Sequence, residues 1–149
     1  MFTYRIAIRL SLAVISMPCA ILAGCGGQSL PLVPVSGVVT FDGGECPGPG
    51  NVTFQPLEVA AGLPNRPASG KFDRDGRYSV TSFLPGDGLL PGRYQVAVTC
   101  YSGLPNPKSR DPFGDVNRVP ESFRPDDLVV EAGSSPVQLD LNVPPKKVR

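Results

Sequence analysis

Few side chains in this sequence are equipped for acid–base or metal chemistry. The 149 residues include no histidine, which removes the commonest metal ligand and the side chain that titrates nearest neutrality. No Ser–His pair can form, and neither a G-x-S-x-G turn nor a C-x-x-C pair occurs. The aspartates come next. Asp73 and Asp75 precede Gly76, a spacing that suggests a weak Ca²⁺ loop, with Asp87 from another loop as a third carboxylate. An EF-hand frame anchored on Gly76 puts Lys71 at the first ligand position and Ser82 at the last, where carboxylates are required. The same residues make a hairpin turn, with Asp oxygens accepting from nearby backbone N–H groups and Gly supplying positive φ. The turn is the favoured reading, and no cofactor is expected. An enzyme would need a mechanism using carboxylates, Arg or Tyr alone, marked by Arg93 or Arg118 beside Asp87 or Asp115. Asp126 and Asp127 are adjacent, so in extended chain they point to opposite sides and make a poor acid–base dyad. We expect no catalytic residue.

One stretch suits recognition better than reaction. Residues 101–127 show no clear element, hold Pro105, Pro107, Pro112, Pro120 and Pro125, and mix charges of both signs with aromatics. Connections of that length in a compact domain are often functional. Phe123 is expected to pack on the domain edge, leaving Phe113, among charges, as the candidate partner contact. The net charge of +1 and the lack of a basic run argue against nucleic acid.

The N-terminus reads as an address. Residues 1–9 carry Arg5 and Arg9 and no acid, and residues 10–22 (LSLAVISMPCAIL) form an uncharged apolar run. A spanning helix needs about 20 such residues; a charged start and a shorter apolar core make a secretory signal peptide.

The run ends in Leu22-Ala23-Gly24-Cys25, which resembles the bacterial lipobox. The resemblance implies cleavage between Gly24 and Cys25, lipidation of Cys25, and a mature chain held to membrane lipid on the extracytoplasmic face of the cell envelope. Several acyl chains give stable attachment where one does not. Gly26 stands where an inner-membrane retention signal would place Asp, which favours the outer membrane. Residues 1–24 are then the signal peptide and 25–34 the lipidated cysteine with a Gly- and Pro-rich tether. With Cys25 acylated, Cys46 and Cys100 form an even pair in an oxidising compartment, so a disulfide is permitted. It would contribute about 4 kcal/mol in the chain-entropy model if the two Cα atoms lie within about 7 Å. Two buried free thiols are the equal alternative.

The elements that must carry these residues are short strands. Gly and Pro number 17 and 18, too many for long helices. Alternating or β-branched runs occur at 35–41, 51–55, 68–72, 77–81, 93–100, 128–131 and 137–141, separated by turn signals. In the clearest, RYQVAVTC, Tyr94, Val96, Val98 and Cys100 share one face, and Tyr94 is placed to bond back to loop backbone. Seven such strands, each with one apolar face, predict an all-β, seven-stranded antiparallel sandwich over residues 35–142, with 143–149 as a tail.

The ordered set VSGVVTFDGG, NVTFQP, GKFDRDGRYSVTS, PGDGLLPGRYQVAV and VPESFRPDDLVVEAGSSPVQLDL is similar to the carboxypeptidase-regulatory-like, transthyretin-like (prealbumin-like) sandwich of bacterial envelope lipoproteins. The resemblance covers residues 35–141 and implies a closing hairpin. Transthyretin-like hydroxyisourate hydrolases depend on histidines and a C-terminal Tyr-Arg-Gly-Ser; this chain has neither, and that activity is rejected. The expected product is a non-catalytic structural or binding module facing an unknown envelope protein or polysaccharide. The alternative is a ligand module that takes glycan or Ca²⁺ in the loops at one end of the sandwich.

Overall fold

A computed structural model describes residues 29–104, 107, 108, 110 and 116–146. The strands are β1 (Val35–Phe41), β2 (Gly50–Val59), β3 (Ala68–Phe72), β4 (Arg77–Ser79), β5 (Gly92–Cys100), β6 (Leu128–Val130), β7 (Val137–Gln138) and β8 (Leu141–Val143). They build two sheets. One has the order β4-β1-β7, with β8 also on β1, and the other is β3-β2-β5-β6. No helix occurs among the described residues.

Period-two burial explains why the sheets stack. Along β5, Tyr94, Val96, Val98 and Cys100 are buried while Arg93, Gln95 and Ala97 face solvent. In β2, Val52 and Phe54 point the same way and are fully covered. The opposite sheet supplies Val35, Val39, Tyr78, Leu141 and Val143 to the same core. Each aliphatic side chain so enclosed is worth roughly 1.5–3 kcal/mol over its exposed state.

Three expectations are corrected. Among the described residues eight strands occur where seven were expected, because the segment 137–141 is interrupted and runs on to Val143. The two pieces hold one register against β1, with Val35 opposite Val137, and Val39, Thr40 and Phe41 opposite Leu141, Asn142 and Val143. At the break, an Asp140 side-chain oxygen accepts from the Val38 N–H at 3.0 Å in place of a backbone carbonyl. The sandwich is also not wholly antiparallel, since β7 and β8 run parallel to β1. Finally, β6 and β7 are not a hairpin, for β6 pairs with β5 in one sheet and β7 with β1 in the other. The reason is geometric. β6 runs toward the end where β1 begins, so a turn there that crosses to the other sheet launches β7 in the direction of β1.

The boundaries shift as well. Val33, assigned above to the tether, is 2% exposed and bridges Leu89. Val143, assigned to the tail, is fully buried in β8. β2 extends to Val59 through a bulge at Pro56/Glu58. The chain at 77–81 is extended but changes sheets, because β4 pairs with β1 while Thr81 bridges Ser69 of β3.

The sandwich thus has two distinct ends. At the near end lie the incoming chain at 29–34, the β2–β3 and β4–β5 connections and the 131–136 turn. At the far end lie the β1–β2 loop, the 73–76 turn and the start of the 101–127 excursion.

Candidate functional site

At the far end, the β1 hairpin turn uses Asp42 at φ 52° and Gly43 at φ 77°, the doubly positive pair that a tight two-residue turn requires. The chain then passes Cys46, whose backbone N–H donates to the Arg74 carbonyl and whose thiol donates to the Val39 carbonyl at 3.2 Å. Cys100, at the end of β5, donates its thiol to the Gly48 carbonyl at 3.4 Å. Both are free and buried, the second of the two alternatives that their sequence positions allowed. Burial, then the neighbouring Cys100 and the Asp75 carboxylate, push the Cys46 thiol up to about 11. Burial also raises Cys100, against the bond to Gly48 and the charge of Arg118. The thiolate is the nucleophile, so neither group is armed at neutral pH.

Asp73 and Asp75 sit in the turn between β3 and β4. The Gly76 N–H donates to the Asp73 backbone carbonyl, and an Asp75 side-chain oxygen accepts from the Arg77 N–H at 3.2 Å. Gly76 has φ +71° and would place a Cβ 1.9 Å from the Val39 carbonyl oxygen, so glycine is required there on both counts. This is the turn geometry expected of the motif. Asp87 lies beyond the other end of β4 and cannot join the pair. Among the described residues no group of three or more Cys, Asp or Glu side chains is placed to hold a metal ion.

Asp87 instead organises the β4–β5 connection. Its carboxylate accepts from the backbone N–H of Ser82 at 2.7 Å, Phe83 at 2.9 Å and Leu84 at 2.8 Å. Burial opposes ionisation, but the N–H groups of Leu84, Ser82, Phe83 and Asp87 itself outweigh it and hold the carboxyl below its ordinary value. Thr81 Oγ1 takes the Gly86 N–H at 3.0 Å, and the Ser82 hydroxyl donates to the Gly88 carbonyl at 2.6 Å. From the β2–β3 connection, Arg66 donates Nε–H to the Ser82 carbonyl at 2.7 Å and lays its guanidinium 4.7 Å above the Phe83 ring centre. The sequence reading gave Asp87 no such role and did not single out Arg66 or Phe83. The signal was the Pro-Gly-Asp-Gly run at 85–88, which reads as a tight loop closed by an Asx side chain.

A cleft of about 290 Å³ lies where β6 and the β7–β8 segment diverge. Phe123, Leu128, Leu139 and Leu141 line it, with Asp126, Asp127 and Asp140 around them. Asp127 pairs with Arg93 at 3.7 Å, and Arg93 with Glu58 at 3.5 Å; all are well exposed, so these bridges add little. Asp140 is engaged by Val38 N–H and by the Gln138 amide. An apolar floor under a carboxylate rim can receive a cation on an aliphatic stem, and it offers no proton-shuttling pair.

Among the described residues, those named for a catalytic reading, Arg93, Arg118 and Asp87, are not brought together. Arg93 stands on the outer face of its sheet with Glu58 and Asp127, and the Arg118 guanidinium donates to the Ser102 carbonyl at 3.1 Å. Asp115, Phe113, Gly24 and Cys25 lie outside the described residues. Within the 101–127 excursion, Tyr101 bridges Asn117, Val119 is buried, and Phe123 packs against the core as expected. Tyr94, 1% exposed, donates its hydroxyl to the Leu90 carbonyl at 2.8 Å, a bond that closes the corner leading into β5. Comparison with family models, with curated proteins and with solved structures finds no match to this chain.

Proposed function

We propose that this chain is a lipid-anchored protein of the bacterial cell envelope, held on the extracytoplasmic side through acylated Cys25. Its sandwich serves there as a non-catalytic structural or binding module for an envelope protein or polysaccharide. The observation that carries the reading is the order of the first 25 residues: two cations, an uncharged apolar run, then Leu22-Ala23-Gly24-Cys25. Gly26 favours the outer membrane. The transthyretin-like resemblance is supported by an all-β unit of two packed sheets sharing one core. Among the described residues Val33 is the first that is buried, and it stands eight positions after Cys25, so the tether spans at most about 28 Å.

Metabolic labelling with a fatty-acid analogue, beside a Cys25→Ala control, tests the anchor. Wild type should take up label and partition with membranes, and the control should do neither. Equal incorporation by the two would refute the reading.

A further inference from the structure

We infer that the near end of the sandwich is a membrane-docking surface, in which the Phe83–Leu84 tip enters the headgroup region and Arg66 meets lipid phosphate. This rests on the lipid anchor proposed above and adds the orientation that the anchor alone leaves open.

An exposed leucine by itself means little; the setting of this one is what matters. Leu84 is 69% and Phe83 36% exposed, yet the loop that carries them is bound tightly. Asp87 holds three successive backbone N–H groups and Thr81 a fourth, so the apolar pair is fixed outward and cannot fold back on its own core. Beside it Arg66 stacks on the Phe83 ring. A ring at the acyl boundary with a cation at phosphate depth is the arrangement by which amphipathic side chains sit in an interface.

Placement identifies the occupant as a bilayer. The loop returns to the sandwich at Leu89, which exchanges both backbone hydrogen bonds with Val33, at 2.8 and 2.9 Å. The chain arriving from Cys25 therefore docks against the base of this very loop. Gly88 makes the fit possible, since a Cβ there would lie 1.9 Å from the Val33 carbonyl oxygen. A lipid on Cys25 keeps the tip within a tether length of the membrane. At that effective concentration even a weak apolar contact is populated. The far end, with the 73–76 turn and the start of the 101–127 excursion, then faces away from the lipid toward partners.

The sequence contains no tryptophan, so single reporters are unambiguous. The full chain is produced in bacteria as Leu84→Trp and, for the far end, as Asp73→Trp. Each is reconstituted into vesicles of phosphatidylcholine and phosphatidylglycerol with brominated acyl chains, and mass spectrometry of the N-terminal peptide reports acylation. The Leu84→Trp protein should show blue-shifted emission and quenching at least roughly twofold stronger than Asp73→Trp. Acylated protein in which the two reporters quench equally would overturn the docking and leave the anchor standing. A blue shift that needs high protein concentration and ignores bromination would overturn it in favour of contact between copies. If the N-terminal peptide of the full chain carries no acyl group when produced in bacteria, the anchor falls, and this inference with it.

Discussion

Replacing Gly37 by alanine probes the seam that closes the first sheet. A Cβ at Gly37 would sit 1.9 Å from the Leu139 carbonyl oxygen, 2.6 Å from its carbon and 3.0 Å from the Tyr78 hydroxyl. The bare Cα leaves the slot in which that hydroxyl donates to the Leu139 carbonyl at 2.6 Å. To admit a methyl group, the segment between β7 and β8 must retreat. Its retreat strains the Leu139 N–H bond to Ser36 and the Asp140 bond to Val38 as well. Overpacking of this kind costs about 1–3 kcal/mol, and stranding a buried hydroxyl and carbonyl adds about 1–2. Alanine also stiffens the unfolded chain, which returns only about 0.4–1 kcal/mol. The expected net loss is about 2–4 kcal/mol. Tyr78→Phe removes the same bond without the clash and should cost about 1–2 kcal/mol. Because both changes break one contact, the double variant should fall short of additivity by about 1 kcal/mol. Urea unfolding followed by far-ultraviolet circular dichroism measures all three. A Gly37→Ala protein within about 0.5 kcal/mol of wild type, or strict additivity with Tyr78→Phe, would refute the slot.

Three further outcomes are expected. Asp87→Ala should lose about 2 kcal/mol by releasing its charge-assisted bonds. Since the folded carboxyl titrates below its ordinary value, the wild-type contribution is complete above about pH 4 and fades as pH falls through the folded value. The variant should therefore show a shallower acid limb in a plot of melting temperature against pH, and an unchanged limb would count against the loop. Cys46 and Cys100 should resist iodoacetamide at pH 8 in the native protein and react readily in urea, because burial raises both thiols, and Cys46, pushed up to about 11, is only about one part in a thousand thiolate at that pH; prompt native labelling would contradict their burial. Millimolar Ca²⁺ should leave the melting temperature unchanged, as an Asp75 oxygen is engaged by the Arg77 N–H and, among the described residues, no third carboxylate stands with Asp73 and Asp75 to complete a site. A calcium-dependent rise would restore Asp73 and Asp75 as ligands.

How much of this was legible depends on the range of the interaction. Strands β1, β3 and β5 were readable within a residue because their apolar side chains alternate against polar ones, and a one-residue slip would turn every one of them to solvent. The corner at Tyr94 was legible for a similar reason, since Pro91-Gly92 ahead of a tyrosine sets up a bond only four residues back. The 73–76 turn was equally local. The parallel pairing of β7–β8 with β1 left no trace in either segment, because it joins residues about a hundred positions apart whose own patterns are indifferent to strand direction. Asp140 lies inside the single strand read over 137–141; its side chain in fact fills the rung that the backbone vacates, which splits that segment in two, and the second piece runs on to Val143.

The order of charged, apolar and small residues before Cys25, the all-β character and the lack of any histidine chemistry belong to the sequence alone, since each follows from residue type and spacing within a few positions. Which loops share an end of the sandwich was decided only by the tertiary structure. The pairing of Val33 with Leu89, the arginine drawn over Phe83 and the slot at Gly37 all join segments distant in the chain, and they form only when two sheets bury one core.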